Sequence, residues 1–262
     1  MEILSARRAQ YVTLLHEIAN KKGLKGDGIT VLENIMHVES HFNLIAKNGR
    51  SSAKGLFQVI NGTWDDYVKL HPNELKSDGR DDPTQQIIFA IYYTQDNIAA
   101  MNKAFPSRQL SKGDIYLAHF LGPGGKNGGR GAIDVIREAE NHPNTPIKEF
   151  LPQKVLDSNS EVFFKMDGNR GLEFKEFTVG DLANWANAKM GEKPKYATNS
   201  EPHYRRNKIG IPEVLGDMTM VAIGAVVFVA GYLISEVVGM FSDDDAKSPP
   251  PTPRRPPSRS RA

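Results

Sequence analysis

His37-Val38-Glu39-Ser40-His41-Phe42-Asn43, followed by Ala53-Lys54-Gly55-Leu56-Phe57-Gln58 and then Thr63-Trp64, is the stretch on which the reading of this chain turns. Upstream of it, Ile29, Leu32, Ile35 and Met36 recur at helical spacing and run straight into Glu39, after which the sequence breaks into serine and glycine. Such a pattern predicts a packed helix that opens onto a loop at a carboxylate. Apolar walls around a carboxyl disfavour its charged form and lift its pKa toward neutrality, which makes it a proton donor at neutral pH. The competing reading is an ordinary solvated glutamate at a helix end.

The order of the neighbouring residues favours the first. Glu39-Ser40, Phe42, Ala46, then Ala53-x-Gly55-Leu56-Phe57-Gln58 and Thr63-Trp64 resemble the soluble-type lytic transglycosylases, whose pattern reads roughly E-S-x-F-x-x-x-A, a short Ser/Gly loop, G-A-x-G-L-M-Q, and later an A-Y-N-A-G turn. Ala118-His119-Phe120-Leu121-Gly122-Pro123-Gly124 is a weaker counterpart of the last motif, and the resemblance covers roughly the first half of the chain. It implies a mainly α, lysozyme-like catalytic domain. It also implies Glu39 as the catalytic residue and Ser40, Asn48, Gly55, Leu56, Phe57, Gln58 and His119 as substrate-binding residues.

Three departures from the pattern matter. Asn48 stands where the family has a serine nine residues after the glutamate, and Ser51 or Ser52 are alternatives for its contact. Phe57 replaces the usual methionine, keeping an apolar wall, while the Gln58 amide can both donate to and accept from a sugar. His119 aligns with the tyrosine that hydrogen-bonds the acid.

By resemblance the substrate is peptidoglycan, cut between N-acetylmuramic acid and N-acetylglucosamine to leave a 1,6-anhydro sugar, with no metal or cofactor. A lysozyme-type hydrolase using Asp65, Asp66, Asp81 or Asp82 as a second carboxylate is the runner-up. An inactive, membrane-tethered peptidoglycan-binding or channel-forming protein is the third reading.

Outward from this centre, Tyr11, Val12, Leu14, Leu15 and Ile18 predict a helix over about 5–22, with His16 structural. His37 and His41, four apart, share a face as a zinc pair does, yet Glu39 projects away from them and no third ligand is evident. Thr63-x-x-Asp66 reads as an N-cap with Trp64 in the first turn, packed rather than stacked on a sugar. A long central helix is expected from Thr84, with Ile87, Ile88, Ile91, Tyr92 and Ile98 inward. The glycines of 122–131 lack the Gly-Lys-Ser/Thr of a phosphate loop and form a turn. Thr178 and Asp181 predict a capped helix carrying Leu182, Trp185, Ala186 and Met190. Asp167-Gly168-Asn169 lacks the remaining spacing of a calcium loop.

With 262 residues, a formal charge of +2 and no cysteine, the chain has room for one good core and shows no general attraction to nucleic acid. It divides into a catalytic domain over 1–150, a small annex over 151–190, a linker over 191–216, a transmembrane helix over 217–241 and a disordered Pro/Arg-rich tail over 242–262. The 17 residues from Met218 to Ile234 carry no charge. No cleavable signal peptide is expected at the N-terminus. The expected partners are therefore peptidoglycan, the lipid bilayer through 217–241, and other virion or envelope-complex proteins. The expected location is a single-pass membrane protein acting in the periplasm, virion-associated before entry.

Overall fold

A computed structural model describes residues 2–49, 51–124, 130–163, 165–166, 172–173 and 177–199. The expected membrane span, the tail and the Asp167-Gly168-Asn169 stretch lie outside the described residues, as do the central glycines of the 122–131 turn. Among the described residues no helix is long and apolar enough to cross a membrane.

The architecture is mainly helical. Helix α1 (Glu2–Lys22) and helix α2 (Asp27–Ser40) are followed by a loop and α3 (Asn61–Leu70), then the central α4 (Pro83–Ala104), α5 (Lys112–Leu121) and α6 (Ala132–Asn141). Short helices α7 (Ile147–Phe150), α8 (Gln153–Ser158) and α9 (Ser160–Phe163) lead to a two-residue antiparallel pair, β1 (Lys165–Met166) with β2 (Leu172–Glu173), and to α10 (Val179–Lys189).

Local chemistry accounts for these boundaries. Asp82 caps α4 by accepting from the backbone of Thr84 at 2.7 Å, and Pro83, whose missing N–H costs nothing in a first turn, opens the helix. Ser111 with Asp114, and Thr178 with Asp181, close reciprocal capping boxes on α5 and α10; the second is the one the sequence predicts. Helix α3 starts earlier than the Thr63 signal implies. Its N-cap is Ile60, and Ser52 Oγ accepts the Asn61 N–H at 3.1 Å, so an upstream loop supplies the partner that Thr63 was expected to provide.

Trp64 is buried, stacks on Phe89 at 5.4 Å and donates its indole N–H to the Lys76 carbonyl, so it belongs to the core. The buried side of α4 is made by Ile87, Phe89, Ala90, Ile91, Tyr93 and Met101. Ile88, Tyr92 and Ile98, expected inward, are only partly buried at its flank.

No gap in packing marks the expected boundary near residue 150. Helix α10 packs most extensively against α5 and α6. The first residues of the expected linker are also fastened to this body: Asn184 accepts from the backbone of Lys195 and Tyr196, and Asn199 N–H donates to Asn144.

Candidate active site

Glu39 lies in the last turn of α2 and is only 4% exposed. Helix α2 stops abruptly because His41 and Phe42 take left-handed backbone conformations, with φ of 50° and 57°. Neither is glycine, so the turn stores strain next to the carboxylate. Replacing the partly exposed His41 by glycine is expected to relieve it and to raise stability by about 0.5–1 kcal/mol, read as a higher urea midpoint.

Tyr116, from the middle of α5, donates its hydroxyl to Glu39 Oε1 at 3.0 Å. Burial raises the Glu39 carboxyl to about 7, against the Tyr116 hydrogen bond and the charge of Lys189, both of which lower it. Burial therefore wins, and the group is poised between acid and base near neutrality.

The loop facing this helix end is held by side chains rather than by regular secondary structure. Two isolated antiparallel bridges, Lys47 with Lys54 and Lys54 with Val59, fold it back on itself. Ser40 Oγ lies 3.0 Å from both the Met36 and the Leu56 carbonyls and shares its single proton between them. Gln86 accepts the Leu56 N–H at 2.7 Å and donates to the Arg80 carbonyl at 2.8 Å. Arg80 donates to the carbonyls of Ser52 and Val59 and to the Asn61 side chain.

Gly55 has φ of +84°, and a Cβ there would fall 2.3 Å from Gln86 Oε1. Gly55→Ala is expected to disrupt this clamp and to cost about 1–3 kcal/mol, measured by urea denaturation.

Several residues expected at the sugar hold this scaffold. Leu56 and Phe57 are fully buried and back the loop from the core side. Gln58 donates its amide to the Gly55 and Ala46 carbonyls, and Ser40 is spent on its two carbonyls. Asn48 is buried with its N–H on the Ala53 carbonyl at 2.9 Å.

The expectation for His119 needs correction. The hydroxyl that reaches the acid is that of Tyr116, one helical turn earlier, while His119 is 1% exposed. Burial pulls the His119 imidazole down to about 3, with a hydrogen bond to the Phe57 backbone acting the other way, so the ring is neutral near pH 7. Tyr116 was recoverable: Tyr116-x-Ala118 fits the Y-x-A of the family turn three residues before the register placed on His119. Lys189 and Trp185 on α10 carried no comparable signal.

The aspartates considered as a second carboxylate are engaged elsewhere. Asp81 pairs with Lys54 at 2.8 Å, Asp82 caps α4, Asp66 lies 3.5 Å from Lys69, and Asp65 acts on Arg80. His37 and His41 meet edge to face at 5.3 Å, and among the described residues no group of three or more His, Cys, Asp or Glu is arranged to hold a metal.

Residues 17–127, which carry Glu39, the clamped loop and Tyr116, match the family model described as the transglycosylase SLT domain. The match covers less than half of the chain but all of the geometry around the acid except α10. This segment is thus a transglycosylase SLT domain by its match, the domain of lytic transglycosylases, which are lyases that act on peptidoglycan.

Proposed function

We propose that Glu39 performs both proton transfers of an intramolecular cleavage of the bond between N-acetylmuramic acid and N-acetylglucosamine. As the acid, it gives its proton to the glycosidic oxygen as the bond from that oxygen to the anomeric carbon breaks. As the resulting carboxylate, it takes the proton of the muramoyl C6 hydroxyl while that oxygen closes on the anomeric carbon. The products are a 1,6-anhydromuramoyl end and a free N-acetylglucosamine hydroxyl, and Glu39 is restored. No water is consumed.

The observation that carries this reading is the buried Glu39 carboxyl at about 7, hydrogen-bonded by Tyr116. A hydrolase needs a second carboxylate about 6.5–9.5 Å away if inverting, or about 5–5.5 Å away if retaining. Mass spectrometry of fragments released from purified peptidoglycan tests the reading. Anhydromuramic ends support it, whereas reducing ends would assign a hydrolase and absence of release a binding protein.

Tyr116→Phe removes a hydrogen bond that holds the Glu39 carboxyl down. The alkaline limb of the pH profile is expected to move up in this variant, with kcat/KM reduced about tenfold.

The reading extends to location. The apolar run within 217–241 is proposed to anchor the chain in a bilayer with its catalytic part in the periplasm, where a local opening of the wall serves entry of a phage genome. Carbonate-resistant membrane association that is lost on deleting 217–241 tests the anchor. Detection of the chain in purified particles tests the virion assignment.

A further inference from the structure

Beyond residue 127, helix α10 lies against α5, the helix that carries Tyr116, through side chains of specific shape. Trp185 packs on the Tyr116 ring at 5.6 Å and on Phe120 at 5.1 Å. Lys189, one turn further along, holds its ammonium 5.7 Å from the centre of the Trp185 ring, and its charge pulls the Glu39 carboxyl downward. An unbroken line of contacts thus runs from Lys189 through Trp185 and Tyr116 to the acid.

The seat of α10 is fixed at the other end of α5. Both oxygens of Glu192 accept N–H groups from the first turn of that helix, Lys112 at 3.1 Å and Gly113 at 2.8 Å. A carboxylate suits the partial positive charge of a helix N-terminus. Gly113 permits the approach, since a Cβ there would lie 2.7 Å from the Asn187 Cα. A solvated lysine at the end of a surface helix needs none of this, and Lys189 is partly buried.

We propose that Lys189 is a positioning residue for Glu39: α10 delivers its ammonium to the acid so that the carboxylate left by proton donation stays charged long enough to act as the base. Its site is a low-dielectric one, where a single cation acts strongly on a nearby carboxylate. Several of the other charged groups on the elements packed here are committed to one another or to helix ends. Arg108 holds Asp114 and Glu140, Asp134 and Asp181 cap α6 and α10, and Glu192 caps α5. Tyr116 is the neutral donor to Glu39, and His119 is held neutral by burial. The charge of Lys189 acts on the acid in the sense that favours its carboxylate form. This inference rests on the two-step role of Glu39 given above.

The test uses the full chain with Lys189→Met and Lys189→Arg. Titration of the Glu39 carboxyl carbon by 13C NMR, assigned through Glu39→Gln, needs no turnover and is read beside kcat and KM across pH. In Lys189→Met the midpoint is expected to rise by about one unit, the alkaline limb to move with it and kcat to fall at unchanged KM, with Lys189→Arg restoring all three. A midpoint that stays in place overturns the inference, and a raised KM at an unmoved midpoint assigns Lys189 to substrate contact instead. A shifted midpoint in a protein that releases no anhydro ends would uphold the coupling while rejecting the transglycosylase chemistry.

Discussion

Glu39→Gln is expected to lower the release of soluble fragments from peptidoglycan by about 10³-fold or more, because one side chain supplies both the acid and the base. Glutamine keeps the shape and still accepts the Tyr116 hydroxyl, so the loss comes from the missing proton and not from collapse of the site. Wild-type activity should decline above about pH 7, where the carboxyl loses the proton that it must donate first. The variant should show no such limb in whatever activity remains. Retention of more than a tenth of the rate at pH 6 would remove Glu39 from the mechanism.

The same substitution should stabilise the protein at alkaline pH, and the sign follows from burial. Glu39 titrates at its ordinary value of 4.5 when unfolded and at about 7 when folded. Between these values the folded state keeps a proton that the unfolded state has released, so stability falls as pH rises through the window and levels off above it. The shift corresponds to about 3 kcal/mol in all. His119 works in the opposite sense, since its folded pKa of about 3 lies below the ordinary 6.5 and costs stability as pH falls. The two slopes overlap, so wild type alone will not display either. The difference between Glu39→Gln and wild type cancels the His119 contribution. It should grow from near zero at pH 4.5 to about 3 kcal/mol in favour of the variant by pH 8, as measured by urea denaturation. A difference independent of pH would mean that the carboxyl is solvated.

Much of this was legible in the sequence because it is local. A helix that runs into Glu39 and breaks, a Gly-rich loop with a fixed order of residues, and capping signals at Thr178 and Asp181 all act over a few positions. The residue whose side chain donates to the acid is Tyr116, one turn before the aligned His119. Tyr116 and His119 lie three apart on one buried helix, and only the crossing of α5 over α2 selects between them. The roles of Leu56, Gln58 and Ser40 were hidden for a similar reason. Gln86 and Arg80, the residues that clamp the loop to which Leu56 and Gln58 belong and against which Ser40 packs, lie at least 22 positions downstream of it. Lys189 was the least visible. Its helix reads as an ordinary amphipathic segment, and its value depends wholly on what it packs against.

Glu192 brings in the order of events during synthesis. The first two free N–H groups of α5 are satisfied by a carboxylate about eighty positions later in the chain. A nascent chain that has emerged only as far as α6 therefore holds both Glu39 and the Tyr116 that donates to it, yet the first turn of the helix that presents Tyr116 still lacks the Glu192 carboxylate and the tyrosine lacks its apolar partner Trp185. Contacts of such long range form late. The acid should acquire its final surroundings only after residue 192 has left the ribosome, so growing chains stay silent until then.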